Sequence, residues 1–448
     1  MKKSLIVILM LFVLVGCTKN NQAYDENLFN DGLLAVSENG TTWGYINTKG
    51  EMIIDEQFDG AGAFYDGHAI VVNDEVYQVI DKDGKLIFSD GYEYLRRNIE
   101  TGLFIFEKDG LYGILDVKEN IIVDATYKLI YEYSEGYAIA ITEEQLYYYI
   151  DEKGNIMNEQ PYHHATPFKN GYATVKNDEQ KAGLINTDFE MVIDYLHDEI
   201  SVVDIYNRVV THDKNGTLDQ SDDTFDLVNI EDLSVILNNY HNIKFVTPYD
   251  MRPNTPLYQA VKDEYYELYT YDGSKFTDDE YVFIVTVGDY LITYQDAHRA
   301  PTEMFEELRE YAIYNEDGEL IKKASISDSR HVFQGYGNQR ELYLAVDDGD
   351  FIDIYGQDDT YRIEADEVKR LSDQLIYAVK DGSYGAFNFD GEVVLDFEYD
   401  YLYEYQDGYI EFLKDDKWGI MNDKYEVIVE PMYQYLHTAF APRVFPKL

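Results

Sequence analysis

One phrase recurs along this chain at a fixed step, and a step of this length commits a sequence to a repeat architecture. The glycines that open each copy are Gly32, Gly67, Gly102, Gly136 and Gly171, with gaps of 35, 35, 34 and 35 residues. An extended apolar run follows each: Leu33–Val36, His68–Val72, Leu103–Phe106, Tyr137–Ile141 and Tyr172–Val175. After a turn comes an aromatic-glycine pair or its relic, at Trp43-Gly44, Tyr77-Gln78, Tyr112-Gly113, Tyr147-Tyr148 and Ala182-Gly183. Two apolar residues and an Asn or Asp come next, and then Gly50, Gly84 or Gly154. In the third copy Asn120 is assigned that glycine's place, since Asn also tolerates positive φ. Near the C-terminus Tyr384-Gly385 and Trp418-Gly419 stand 34 apart. Tyr127–Gly136 (YKLIYEYSEG) and Tyr399–Gly408 (YDYLYEYQDG) are near copies of one another.

Each feature has a mechanical reason. Asx-x-x-Gly segments such as Asn47–Gly50 suit short hairpin loops with glycine in the left-handed position. The runs between turns are rich in β-branched and aromatic residues, as strands are. Leu34 and Val36 alternate, whereas Ile121-Ile122-Val123 is apolar throughout and reads as a strand buried on both faces. A glycine inside a strand implies close cover. A ring from an adjoining strand is the expected cover for Gly44, Gly113, Gly183, Gly385 and Gly419. Trp43, Tyr112, Tyr384 and Trp418 are therefore read as packing residues, and loss of the Trp418 ring is expected to cost about 3–5 kcal/mol.

The text TTWGYINTKGEMIID (Thr41–Asp55), LYGILDVKENIIVD (Leu111–Asp124), SYGAFNFDGEVVLD (Ser383–Asp396) and KWGIMNDKYEVIVEP (Lys417–Pro431) resembles the WG-repeat, or KWG-repeat, family of bacterial proteins. The resemblance spans roughly residues 28–200 and 370–437. It implies a β-rich repeat module and supplies no catalytic residues or cofactor. The expected fold is all-β: a tandem array of ~35-residue units with three to four strands each, about a dozen in number. A propeller-like arrangement protects sheet edges, and an open β-solenoid is the alternative.

Met1–Gly16 reads as a signal peptide. Lys2 and Lys3 precede the apolar run Leu5–Val15, which is too short to span a bilayer. Leu14-Val15-Gly16-Cys17 resembles the lipobox of bacterial lipoproteins, which implies a diacylglycerol on Cys17, the only cysteine. Residues 17–27 then form the lipidated cysteine and a polar tether. The expected address is the cell membrane, lipid-anchored on the extracytoplasmic face. With 86 acidic against 36 basic residues, a formal charge of −50, nucleic-acid binding is excluded. Acidity of this kind is read as solvation.

Regular repeats are expected over residues 28–206 and 340–448, with degenerate copies and insertions over 207–339. Strands are expected at Tyr206–Thr211, around Gly288-Asp289 and at Tyr311–Leu320. Thr247–Pro256 and Ala300–Arg309 read as insertions, the second as a helical one.

Candidate chemistry is sparse. Asp213, Asn215 and Asp219 carry part of a calcium-loop pattern, but Thr211 stands where another oxygen ligand belongs and no Glu closes the loop. An ordinary hairpin turn accounts for the segment, and no metal is assigned. His163, His164 and His197 lack metal-ligand spacing. The 44 tyrosines are read first as half-buried sheet filler, and exposed ones would suit sugar stacking or a protein hot spot. The expected function is a non-enzymatic binding module for protein or glycan ligands. A cell-envelope polysaccharide hydrolase with its site in the degenerate middle, or a structural spacer, are the alternatives.

Overall fold

The computed structural model describes residues 27–436 with breaks, the longest at 215–222, 246–256, 296–309 and 334–343. Among the described residues every regular element is a strand. Among the described residues the strands form eleven antiparallel sheets in chain order, ten of consecutive strands and the first completed by the last strand of the chain. The fifth sheet is representative: His164–Ala165, Tyr172–Lys176, Ala182–Asn186 and Met191–His197 pair in that order. The sequence locates these strands well in the regular units. In the middle of the chain Arg208–Asp213, Phe283–Val287, Tyr290–Gln295 and Glu310–Tyr314 also stand where strands are expected.

The short first strand of a unit buries one apolar side chain, as Ala61, Ile130, Ala165 and Leu402 show, and often exposes its neighbour, as at His164 and Glu199. The fourth is the exposed outer edge. This corrects the reading of Ile121-Ile122-Val123 as doubly buried: Ile121 is 59% exposed and its neighbours are half-buried. Met52, Met191, Val393 and Val427 repeat that exposed position in their own units. The second strand is covered on both faces instead. In Leu33–Ser37, Leu33 and Ala35 pack toward the second sheet, and Leu34 and Val36 toward the last.

The two ends of the array meet. Tyr435 and Leu436 pair with Ser37 and Val36, so the C-terminus supplies the missing first strand of the first sheet. One apolar cluster joins Leu34, Val36 and Ile46 to Tyr405, Ile420, Val429 and Tyr433. Similar clusters link each sheet to the next, apart from the junction of the eighth and ninth, which involves residues outside the described set. The fold is the propeller-like ring, not the open solenoid.

Two recurrent turns hold the units in register. At the opening turns Asp31-Gly32, Asp66-Gly67, Glu135-Gly136 and Asn170-Gly171, both residues have positive φ, from 46° to 86°. That is the type I′ geometry that matches strand twist. The acid of one such turn reaches the next: Gly67 N–H donates to Asp31 Oδ2 at 2.6 Å, and Gly171 N–H to Glu135 Oε2 at 2.9 Å. Phe29 N–H donates to Asp407 Oδ2 at 3.1 Å, carrying the same device across the ring closure. Acidity in this chain is thus partly structural, since carboxylates satisfy backbone donors.

The second turn joins strands three and four. The side chain of Asn47 accepts from the N–H groups of Lys49 and Glu51 and donates to Glu51 Oε2 at 2.7 Å. Asn186, Asn388 and Asn422 pair with Glu190, Glu392 and Glu426 in the same way. Where the residue is Asp116 or Asp151, the partner four residues on is Asn120 or Asn155, with donor and acceptor exchanged. This corrects the role given to Asn120: the left-handed residue is Glu119, at φ 66°. Phe189 and Tyr425 fill that place in their units, at φ 63° and 64°. All three reach back to the preceding unit. Glu119 accepts from Ser89 and Asp90 N–H, Phe189 meets Tyr137 edge-on at 5.2 Å, and Tyr425 bonds Gln374. Those contacts offset the strain of a left-handed non-glycine residue.

Candidate functional site

The aromatic-glycine pair opens the third strand of its sheet. Opposite it the fourth strand carries a bulge: Trp43 pairs with Phe58 and Tyr45 with Ile54, so three residues face Gly44. The same offset occurs at Ala182/His197, Tyr384/Tyr399 and Trp418/Tyr433. It presses a carbonyl oxygen onto each glycine. A Cβ at Gly44, Gly113, Gly183, Gly385 or Gly419 would strike the carbonyl of Ile54, Val123, Ile193, Leu395 or Val429. Rings add cover at four of the five, from Phe106, Tyr195, Phe397 and Phe412. The expected ring is therefore present but secondary; the backbone bulge is the constant reason for glycine.

The paired aromatics form ladders between sheets. Tyr401 lies 5.5 Å from Tyr384 of the preceding sheet and 5.6 Å from Trp418 of its own. Tyr94 bridges Tyr77 and Tyr112 likewise. Trp43 stacks on Tyr435 at the closure and is 9% exposed. Trp418, Tyr112 and Tyr384 are half-buried. Trp418 is thus a packing residue, but a less buried one than expected.

The sixth sheet breaks these rules in a correlated way. Phe225 holds the aromatic place and Asp226 replaces the glycine. The bulge opposite is one residue shorter, with Phe225 paired to Tyr240 and Leu227 to Leu237. Asp226 instead accepts the Asn239 N–H at 2.6 Å. Beside it, His212 stacks on Phe225 at 4.1 Å with the rings 7° apart. His212 Nε2 lies 2.9 Å from the buried carboxylate of Asp223. Glu199, whose pKa burial would raise, is brought below the ordinary value by the hydrogen bond from Lys214 at 2.7 Å.

A cleft of about 530 Å³ opens along the first strands of the sixth and seventh sheets. It is lined by Glu199, Asp204, Arg208, His212, Phe225 and Tyr258, among others. Asp204 accepts from the N–H groups of Tyr206 and Arg208 at 2.8 and 3.0 Å and from the Tyr258 hydroxyl. Burial pushes the Asp204 carboxyl above its ordinary pKa, and these bonds offset only part of the shift. The Tyr258 hydroxyl is raised too, by burial and then by the charge of Asp204. The Arg208 guanidinium donates to Tyr206 O and Asn229 Oδ1, both at 2.8 Å.

The model of the WG containing repeat matches residues 43–77, 112–143, 149–180 and 384–418. These four segments are WG repeats. The matched segments lie on either side of the sixth to ninth sheets, and the cleft is lined mostly by residues between them, with Lys169 and Asn170 inside the third matched segment. No curated protein matches this chain. It is similar to a solved structure of a eukaryotic initiation factor, at 10% identity and TM-score 0.43, over 91% of this chain and 97% of that one. It is also similar to BamB from Moraxella catarrhalis (12%, TM-score 0.28, 63% and 92%). A third likeness is to the WD40 β-propeller domain of Doa1 (13%, TM-score 0.22, 53% and 89%).

Cys17 lies outside the described residues, as do Asn215 and Asp219 of the calcium candidate. Asp213 is described and faces His197, with Nδ1 to Oδ2 at 2.9 Å. Among the described residues no group of three or more His, Cys, Asp or Glu is placed to hold a metal. Sequence reading missed the His212, Asp223 and Glu199 cluster. Spacing gave no signal for it, because Asp226 stands 43 residues after Gly183 and Gln78 and Tyr148 also replace the glycine in earlier units.

Proposed function

We propose that this protein is a non-enzymatic binding module, held at the extracytoplasmic face of the cell membrane by a diacylglycerol on Cys17. One observation carries the binding half. The cleft opens beside the sixth sheet, where the bulge of the four-stranded units is shortened and polar side chains gather. Regular units spend their polar side chains on backbone groups of their own turns and of neighbouring units. The sixth sheet gathers His212, Asp204, Arg208 and Glu199 at a concave surface with aromatic walls, the composition of a ligand site.

Residues 18–448, probed against protein and glycan arrays, test this half. Saturable binding by at least one class is expected, and its absence for both leaves a spacer. The anchor rests on the lipobox and two-chain lipidation. Cys17→Ala is expected to move the protein from the membrane to the soluble fraction, and retention in the membrane would refute the anchor.

A further inference from the structure

The lining of the cleft narrows the class of ligand, if the binding reading above holds. Lys169, Arg208 and Lys244 supply three cationic groups, and Glu199 and Asp204 two anionic ones. The surrounding chain has 86 acids to 36 bases. The cleft is therefore close to charge-balanced within a strongly negative protein. An anionic ligand would be repelled on approach by the field of the whole molecule. A cationic ligand would be drawn in, only to meet three cations at the wall. A neutral ligand incurs neither cost.

The walls add a second constraint. Phe225, Phe245 and Tyr258 supply rings, with Phe245 and Tyr258 5.4 Å apart. Asn170 and Asn242 also border the cleft, the Asn170 amide donating to the Val203 carbonyl at 2.8 Å. An amide offers a donor pair and an acceptor side by side, which suits vicinal hydroxyls. Aromatic faces suit the C–H faces of a pyranose ring. The volume falls within the ~300–1,000 Å³ range of small-molecule sites.

The repeat itself shows how room is made. Tyr133, Phe168 and Val203 occupy one position at steps of 35. Each offers its carbonyl to the preceding opening turn, through Asn98, Ser134 and Asn170 respectively. The first two are fully buried aromatic rings; in the sixth unit the residue is Val203, which borders the cleft.

We propose that this cleft binds a short neutral oligosaccharide, held against Phe245 and Tyr258 and bordered by Asn242 and Lys244. Lys244 is exposed and can be changed without touching the core.

The test is calorimetric titration of residues 18–448 with trisaccharides and tetrasaccharides. Neutral probes would be β-1,4-glucan, α-1,4-glucan and β-1,4-linked N-acetylglucosamine; charged comparators would be oligogalacturonate and chitosan oligomers. At least one neutral probe is expected to bind, with charged probes at least tenfold weaker. Lys244→Ala and Asn242→Ala are each expected to weaken binding about tenfold with unchanged melting temperature. Val203→Phe, which restores the ring of the regular units, is expected to abolish binding while the protein stays folded. Tighter binding of a charged probe, or neutral-probe binding unaffected by all three variants, would overturn the proposal. So would a peptide ligand whose binding is lost in Lys244→Ala when no sugar binds; that result would leave the binding-module reading intact. Silence on every probe and both arrays would remove that reading as well.

Discussion

The fifth and sixth sheets share strand order yet hold their neighbours differently, and the fifth is the last of the regular units. In the fifth sheet Gly183 lies under the Ile193 carbonyl, the turn at Asn186 is closed by Glu190, and Phe168 fills the junction with the fourth. In the sixth, Asp226 and Val203 stand at the places of Gly183 and Phe168, and the bulge opposite Asp226 is one residue shorter. The changes are coupled. Once the bulge loses a residue, the glycine is no longer required, and a side chain can return. A unit can therefore leave the repeat consensus without leaving the fold, provided bulge and glycine change together.

The sharpest way to break this comparison is at the closure, which belongs wholly to regular units. Ending the chain after Met432 removes Tyr433 and Leu436, both buried. A loss of about 4–6 kcal/mol is expected from that burial. Hydrogen exchange should rise in the first and eleventh sheets together and stay unchanged in the sixth. A rise confined to the eleventh would mean that the ends do not support one another.

Next in size is the pair Gly44→Ala and Asp226→Ala, at equivalent places. The first drives a Cβ into the Ile54 carbonyl and the Glu56 backbone, and about 3 kcal/mol of destabilisation is expected. The second removes one acceptor from the Asn239 N–H, worth about 1 kcal/mol. Equal losses in denaturant titrations would show that the bulge does not account for the glycine.

Much of this was legible beforehand. The period, strand positions and aromatic slots follow from spacing, because each unit repeats one local solution. The reciprocal Asn–Glu and Asp–Asn pairing, four residues apart, is also written in the sequence, but it is visible only once the turn geometry says which atoms meet. The outward exposure of Ile121 was not legible. An apolar triplet looks alike whether covered or not, and only the sheet order places it on the edge. The cleft was least legible, since Glu199, Asp204, His212 and Tyr258 come from three strands and a turn with no common spacing.

The two tryptophans should separate by burial. Trp43 is 9% exposed and stacked at the closure, whereas Trp418 is half-buried against Tyr401. Trp43→Ala is expected to cost about 3–4 kcal/mol and Trp418→Ala about 2, the second scaled for partial burial. Thermal melts that reverse this order would show that the slots are not equivalent packing sites.

The smallest effect concerns the sign of pH dependence, and here regular and divergent units should oppose one another. At Asp151 burial alone would raise the pKa, but hydrogen bonds from the Asn155 side chain and from the Asn155 and Lys153 N–H groups outweigh it and hold it below the ordinary 3.8. Its stabilisation is present above 3.8 and is lost as pH falls through the lowered folded value. At Asp204 burial dominates and the folded value lies above 3.8. The unfolded chain then releases that proton first, so stability falls as pH rises from 3.8 through the folded value and is level beyond it. Asp151→Asn should flatten part of the acid-side loss, and Asp204→Asn part of the decline on the other side. Denaturant midpoints taken from about pH 3 to pH 7 separate the two. If both variants changed the profile in the same direction, Asp204 would be one more turn carboxylate, and the sixth sheet would differ from the others in packing alone.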